Sequence, residues 1–225
     1  MDYIYQPKGA AREYCEWALN IYTGCPHACF YCYCPKILHR NPEDFFHNVA
    51  PRKNIVDGVK KQLEKQNITG KTIHLCFVGD PYPTGYDTTP TREIIKLLKA
   101  YGNHVQLLTK GDGSRDFDLL DGEDWYGITA DGIISDLTAR RFNSLAKAHK
   151  RGIKTWVSFE PVTNERCFYI ALHELHPVAD KVKIGKLNYF PSTTNWKEFG
   201  CRAEALCKIL GIDYYIKDSL RKEMR

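Results

Sequence analysis

The amino-acid sequence predicts an α/β fold: a partial (open) TIM-type barrel with a parallel sheet and about six βα units. Three observations support this prediction. Short apolar, β-branched segments alternate with longer amphipathic ones, glycine or proline often ends a segment, and polar residues recur directly after the apolar segments. Strands that alternate with helices form βαβ crossovers, and six units are too few to close an eightfold barrel. We therefore expect an open sheet with its chemistry at the carboxyl ends of the strands.

The predicted strands are short apolar runs, at residues 17–23, 72–78, 105–109, 125–129, 154–159, 181–184 and 214–216. The predicted helices carry apolar residues three or four positions apart, at 54–66, 91–101, 116–120, 137–151, 167–175 and 196–210. Gly152 and Gly211 follow two of these helices, which is typical of a helix end. We expect a single domain over residues 1–225, with a core at about 19–190 and a C-terminal helical extension at about 196–225.

The composition is that of an ordinary globular protein, with 43% hydrophobic and 26% charged residues in a chain of 225. No segment approaches the roughly 18 consecutive apolar residues of a membrane span, and no signal peptide is recognisable at the start, so we expect a cytoplasmic protein without a membrane partner. The net charge of +5 permits an anionic partner such as nucleic acid without requiring one. The basic run formed by Lys217, Arg221, Lys222 and Arg225 is expected to be a solvated helix end, the alternative being a phosphate-contacting tail.

Four of the nine cysteines lie within ten residues, at positions 25, 29, 32 and 34. The first three have the spacing C-x3-C-x2-C, and three thiolates on one tight loop can hold three irons of a cubane cluster. The fourth iron then lacks a protein ligand and can bind a small molecule, as the open position of a catalytic zinc does. This count predicts a [4Fe–4S] cluster on Cys25, Cys29 and Cys32.

Other interpretations of the cysteine cluster remain open at this point. Cys34 could be a fourth ligand in an apo form, although we favour a neighbouring thiol without that role. A structural zinc could be bound by the four cysteines, or by His27 with three of them. Zinc sites usually use two separated pairs, and the five remaining cysteines contain no C-x2-C, so we favour the cluster.

The motif C-x3-C-x-(aromatic)-C, with Tyr31 in the aromatic position, resembles the signature of the radical S-adenosylmethionine (radical SAM) enzymes. The wider run NIYTGCPHACFYCY resembles the subgroup of spore photoproduct lyase and related phage and bacterial proteins. The resemblance continues in order at FVGDPYP (77–83), LLTK (107–110), GIT (127–129), SFEPV (158–162) and KIGKLN (183–188). It therefore covers residues 19–190, and the cysteine motif is its most specific part.

This resemblance implies that SAM binds the open iron through its amino and carboxylate groups. Tyr31 would lie near the adenine, Gly79 and Asp80 would receive the SAM amino group, and Lys110 would face the SAM carboxylate. The residues alone also allow simpler roles, because Asp80 could cap a turn before Pro81 and Lys110 could be an ordinary surface lysine.

The resemblance further implies that Thr129 hydrogen-bonds the ribose or carboxylate of SAM and that Ser158 and Glu160 contact SAM or substrate. The reaction it implies is reductive cleavage of SAM to methionine and a 5′-deoxyadenosyl radical, which abstracts hydrogen from a substrate. Cys76 lies near the place where spore photoproduct lyase has a hydrogen-donating cysteine, offset by one residue relative to Asp80. A buried inert cysteine is the interpretation that we favour for Cys76.

Several function classes are compatible with this sequence. The first is a radical SAM enzyme acting on nucleic acid or a nucleotide, and the second is one acting on a peptide or small metabolite. The third is a non-catalytic zinc or Fe–S module that binds nucleic acid, and the fourth is an electron carrier. A radical SAM enzyme would need a small reductant protein of the flavodoxin or ferredoxin type. The oligomeric state is not predicted.

Overall fold

The computed structural model describes residues 2–133 and 136–225, which form two compact units, Met1–Trp125 and Tyr126–Arg225. The strands are β1 (Ile4–Tyr5), β2 (Trp17–Leu19), β3 (Thr72–Leu75), β4 (His104–Thr109), β5 (Trp125–Thr129), β6 (Lys154–Val162), β7 (Lys181–Lys186) and β8 (Asp213–Ile216). The helices are α1 (Cys34–Ile37), α2 (Pro42–His47), α3 (Ile55–Gln66), α4 (Thr89–Ala100), α5 (Asp136–Lys150), α6 (Glu165–Leu175), α7 (Trp196–Leu210) and α8 (Asp218–Glu223). Short 3-10 helices cover Gly9–Glu13, Ser114–Leu119 and His176–Val178.

In the first unit, β2, β3 and β4 are parallel neighbours, and β1 adds an antiparallel edge to β2. Helix α3 packs through residues four apart, since Ile55, Val59 and Leu63 are all buried. Its buried Gln62 accepts hydrogen bonds from the backbone N–H groups of Tyr3 and Ile4 at 2.7 and 2.9 Å. A side chain of α3 therefore satisfies backbone groups of the edge strand, which needs protection from unwanted pairing.

In the second unit, β7 lies between β6 and β8, and both pairings are parallel. One face of these strands is apolar, and helices α6 and α7 supply aromatic side chains to the same core. The ring of Phe159 on β6 lies 4.8 Å from Phe168 of α6, which lies 5.0 Å from Phe199 of α7. The opposite face is more polar, because it carries the buried residues Ser158 and Lys183 as register partners.

The predicted class is confirmed: the fold is α/β, its sheet is mostly parallel, and the sheet is not closed. The strand predicted at 72–78 ends early, at Leu75, because Cys76 has a φ of 72° and turns the backbone out of the extended conformation. Strand β6 continues past the predicted residue 159 to Val162. Strand β1 and helices α1 and α2 were not predicted, whereas α8 lies within the predicted C-terminal helical extension. The single domain over residues 1–225 stays a prediction.

The C-terminal segment contains α7 and α8 with β8 between them. In the ranges that the structure covers, every helix is too short or too polar to cross a bilayer.

Candidate cofactor site

The loop that carries Cys25, Cys29 and Cys32 lies between β2 and α1. The N–H of Cys25 donates to Phe45 O at 3.0 Å, so the loop is fastened to helix α2. Gly24 allows this approach, since a Cβ on it would lie 2.5 Å from Phe45 O. Within the loop, Cys32 N donates to Cys29 O at 2.9 Å and closes the turn between these two cysteines.

The spacing of the thiols bears on the choice between a cluster and a zinc ion. In residues 2–133 and 136–225, the potential ligand atoms of His104, Asp121 and Asp124 lie within 4.8 Å of one another. The cysteines of the loop form no such group of three in the same ranges. Zinc binds each thiolate at about 2.3 Å, which requires the sulfurs to converge on one point. A cubane spreads them, because each thiolate binds a different iron. The loop therefore fits a cluster better than zinc.

The three acidic and imidazole side chains at 104, 121 and 124 do not make a cation site of their own. The ammonium of Lys99 already lies 2.6 Å from a carboxylate oxygen of Asp121 and of Asp124. A lysine therefore supplies the positive charge that these carboxylates need.

The environment of each thiol differs along the loop. Burial, assisted by the nearby Asp80 charge, raises the pKa of Cys25. The pKa of Cys32 is lowered, chiefly by a hydrogen bond with the Cys34 side chain and in part by Lys110, against an opposing effect of burial. Cys34 is buried and lies next to Cys32, with its Sγ 3.6 Å from Phe77 O. Iron binding deprotonates cysteine thiols and releases their protons.

Asp80 is the centre of a buried polar network next to this loop. Its Oδ1 accepts hydrogen bonds from Tyr82 N at 2.8 Å and from Thr109 Oγ1 at 2.6 Å. Its Oδ2 accepts from Lys110 N at 2.8 Å. His27 Nε2 lies 3.2 Å from Oδ2 as a charge contact without hydrogen-bond alignment. The bond from Tyr82 N is the turn cap that the sequence allowed.

Both side chains of the His27–Asp80 pair are only 7% exposed. Burial alone would raise the pKa of the Asp80 carboxyl. The His27 charge and the hydrogen bonds from Thr109 and Lys110 outweigh that effect and hold the pKa below its usual value. Asp80 thus joins the cysteine loop, its own turn and the end of β4. Its predicted contact with the SAM amino group stays a prediction.

The structure brings together the other predicted SAM contacts of the first unit. Lys110 Nζ contacts the Tyr31 hydroxyl and lies 5.1 Å from the centroid of the Tyr31 ring. Lys110 is half-buried, so it is not an ordinary surface lysine. Gly79 has a φ of 99°, and a Cβ on it would lie 2.9 Å from Gly24 O. The backbone of the loop after β3 therefore packs directly against the backbone of the cysteine loop.

Cys76 is buried, with 6% of its surface exposed. Its Sγ accepts from the N–H of Ile21, with the two atoms 3.5 Å apart. Burial raises its pKa to about 12, so this thiol stays protonated at neutral pH. A protonated, buried thiol agrees with the interpretation that we favoured, and the hydrogen-donor role stays a prediction.

In the second unit, Thr129 ends β5 and Ser158 lies on β6. Both are buried, at 7% and 1% exposure. Ala130 N donates to Ser158 O at 2.9 Å, which holds the two strand ends together, and Arg141 Nη1 donates to Thr129 O at 2.7 Å. The third predicted contact of this unit, Glu160, is 20% exposed in its side chain.

Lys217 was not predicted to belong to this region. It was expected in a solvated basic run, and that prediction is wrong, because Lys217 is 2% exposed and pairs with Glu160 at 3.3 Å. Arg221 also has a partner, Glu204, at 3.0 Å. The place of Lys217 directly after strand β8, as Lys110 follows β4, is visible in the sequence, but its burial is not.

Comparisons with known proteins find relatives in bacteria and archaea. An uncharacterized protein of Mycobacterium tuberculosis is 32% identical over 112 residues, which are 47% of this chain and 32% of that protein. An uncharacterized protein of Methanocaldococcus jannaschii is 27% identical over 162 residues, 65% of this chain and 60% of that protein. The chain thus spans about a third of the mycobacterial relative.

Two kinds of solved structure share the fold. A mutant spore photoproduct lyase with bound AdoMet and dinucleoside spore photoproduct matches with a TM-score of 0.70 at 13% identity, covering 94% of this chain and 79% of that one. SuiB of Streptococcus suis bound to S-adenosylmethionine matches with a TM-score of 0.64 at 10% identity, covering 88% and 50%. At such identities the likeness concerns the fold alone.

The sequence model of the radical SAM superfamily matches residues 19–163, which is more than half of the chain. The matched range begins at the end of β2 and includes the cysteine loop, the Asp80 network and all of the predicted SAM contacts. This chain belongs to the radical SAM superfamily.

Proposed function

We propose that the chain holds a [4Fe–4S] cluster on Cys25, Cys29 and Cys32 and binds SAM at the iron without a cysteine ligand. The observation that carries this proposal is the loop itself, whose three motif thiols do not converge on a single-ion site and which is fastened to the end of β4 through Asp80. When bound, a reduced cluster and SAM together supply a 5′-deoxyadenosyl radical, which abstracts hydrogen from a substrate.

The protein's own residues position and enclose these groups. Asp80 keeps the cysteine loop in register with the end of β4 through His27 and Lys110. The ammonium of Lys110, held beside Tyr31, offers a fixed positive charge for the SAM carboxylate. Cys34 supports the Cys32 thiolate by a hydrogen bond and is not assigned as a ligand.

In the second unit, Thr129, Ser158 and Glu160 are proposed as contacts to SAM or to substrate. Polar side chains at the carboxyl ends of parallel strands are the usual place for such contacts. The buried hydroxyl of Ser158 and the partly exposed carboxylate of Glu160 provide hydrogen-bond acceptors there.

For the substrate, we propose an anionic molecule, either nucleic acid or a nucleotide, on the basis of the net charge of +5. A peptide or a small metabolite is the alternative. The fold neighbours include proteins crystallised with each class, because one SuiB structure contains the precursor peptide SuiA. A small protein of the flavodoxin or ferredoxin type is proposed as the electron donor.

Anaerobic reconstitution with iron and sulfide tests the proposed function. We expect a brown protein with about four irons per chain, an EPR signal of the reduced cluster that changes when SAM is added, and release of 5′-deoxyadenosine after dithionite reduction. A colourless zinc protein would contradict the proposal. A coloured protein that is indifferent to SAM would favour an electron carrier.

A further inference from the structure

The buried side chain of Lys217 lies at the end of β8, in the second unit. Only 2% of it is exposed, and a lysine is almost never buried to this degree without a partner. Its backbone N–H donates to Ile184 O at 2.9 Å, so the position of Lys217 is set by the neighbouring strand β7. Its ammonium lies 3.3 Å from Glu160 Oε2.

The ion pair spans strand β7. In the sheet register, Phe159 of β6 faces Ile184 of β7, which in turn faces Ile216 of β8. The residues that follow these three are Glu160, Gly185 and Lys217, so the carboxylate must cross Gly185 to reach the ammonium.

Gly185 provides the room for this crossing. A Cβ on Gly185 would lie 2.9 Å from both Cγ and Cδ of Glu160, closer than real Cβ contacts come. The Glu160 side chain therefore lies directly on the backbone of β7. The glycine of the KIGKLN segment is explained by this packing.

The two partners of the ion pair differ in how much of each side chain is exposed to solvent. The Glu160 side chain is 20% exposed, whereas the Lys217 side chain is 2% exposed. A ligand can therefore reach part of the Glu160 side chain but almost none of the Lys217 side chain. Since Glu160 lies at the carboxyl end of β6, the lysine holds a hydrogen-bond acceptor where ligands bind in such sheets.

We infer that Lys217 is a positioning residue that orients the Glu160 carboxylate for its contact with SAM. The inference rests on the proposed function, in which Glu160 contacts SAM or substrate, and it commits to the contact with SAM. A carboxylate fixed by a buried ammonium loses little freedom when it accepts a hydrogen bond from a ligand hydroxyl, and pre-organisation of this kind increases affinity.

The test compares SAM binding and folding in matched variants. The dissociation constant of SAM is measured by equilibrium dialysis on the reconstituted, unreduced protein, and urea unfolding is measured on the metal-free chain. Loss of a charge-assisted hydrogen bond predicts about tenfold weaker SAM binding for Glu160→Gln and for Lys217→Met. The double variant is expected to bind no more weakly than Glu160→Gln alone, because the lysine acts through the glutamate.

Three further variants complete the design. Lys217→Arg keeps the positive charge and is expected to bind SAM within about threefold of the wild type. Gly185→Ala displaces Glu160 while retaining Lys217, and it is expected to weaken SAM binding. Lys208→Met, at a side chain that is 64% exposed on α7, is the control and is expected to change neither measurement.

The outcomes separate this inference from the proposed function. If Lys217→Met lowers stability but leaves SAM affinity unchanged, the lysine is merely structural and the inference fails while the proposed function stands. If the wild type binds no SAM, both fail. Should Lys217→Met not fold, Gly185→Ala decides: unchanged SAM affinity in that variant overturns the inference.

Discussion

The two units each pair a carboxylate with a basic side chain beside the predicted SAM contacts, and the pairs are built differently. In the first unit both side chains of the His27–Asp80 pair are 7% exposed. In the second unit the Lys217 side chain is 2% exposed and the Glu160 side chain is 20% exposed. Both carboxylate oxygens of Asp80 accept hydrogen bonds from the protein, so Asp80 mainly holds together the cysteine loop, its own turn and the end of β4. Glu160 is the carboxylate that a ligand can reach.

The largest expected effect comes from removing a thiolate of the first unit. In Cys29→Ala we expect the reconstituted iron content to fall far below the roughly four irons of an intact cluster, and SAM cleavage to fall to background. Iron analysis, visible absorption and 5′-deoxyadenosine release provide the measurements.

Two control variants keep this prediction specific to the ligands. Cys201→Ala, at an exposed cysteine of α7, should retain both iron and activity. Cys34→Ala should retain the cluster as well. Loss of iron in Cys34→Ala together with full iron in Cys29→Ala would show that the ligands are assigned wrongly.

The next effect concerns the buried pair of the first unit. Asp80→Asn removes the charge that faces His27 and turns an amide N–H₂ group toward at least one donor. We expect the free energy of unfolding of the metal-free chain to fall by about 3–5 kcal/mol, as when one partner of a buried pair is removed. Urea denaturation measures this loss. Asp57→Asn, at an exposed position of α3, is the control, and its free energy of unfolding should stay within about 0.5 kcal/mol of the wild type. An equally small change in Asp80→Asn would contradict the role of Asp80.

A smaller effect tests the contact between Gly79 and the cysteine loop. Gly79 and Gly85 have φ values of 99° and 83°, but only Gly79 has a backbone atom close to the place of a Cβ. Gly85→Ala should therefore cost about 1–2 kcal/mol of conformational strain. Gly79→Ala should cost about 1–3 kcal/mol more, since Gly24 O must move. Equal losses of stability in the two variants would show that the close approach does not constrain the loop.

Much of the fold could be predicted because hydrophobic periodicity determines which faces are buried. Strand β5 and helix α7 begin and end at the predicted residues. The class of site was also predictable, since the ligand spacing C-x3-C-x2-C is local in the sequence. Helix α2 had a readable start as well, with Asn41 as its N-cap and Pro42 at its first position, but it is too short to show periodicity.

The rest depended on contacts between distant segments. The burial of Lys217 follows from the register of β7 with β8 and from the absence of a side chain at Gly185, and neither is visible in the local pattern. The early end of β3 follows from the left-handed backbone of Cys76, a residue that has no general preference for that conformation. The saturation of Asp80 required Thr109, Lys110 and His27 to meet at one point.

The smallest expected effect concerns pH and separates the Asp80 network from surface charges. The folded-state pKa of Asp80 is lowered, so its contribution to stability is fully present above the unfolded pKa of about 3.9 and is lost as the pH falls through the folded value. The difference in unfolding free energy between wild type and Asp80→Asn should therefore be present at pH 5 and shrink below about pH 4. Urea denaturation at pH 7, 5, 4 and 3 measures it.

Asp44→Asn provides the contrast for this pH series. The pKa of Asp44 is lowered as well, by hydrogen bonds from Asn48 and Arg40, but its carboxylate lies at the surface. Solvent screens such a pair, so Asp44→Asn should differ little from the wild type at any pH. If Asp80→Asn behaved like Asp44→Asn, the carboxylate in the first unit would be no more tightly held than an exposed one. The distinction between a buried junction at Asp80 and an accessible acceptor at Glu160 would then have no energetic basis.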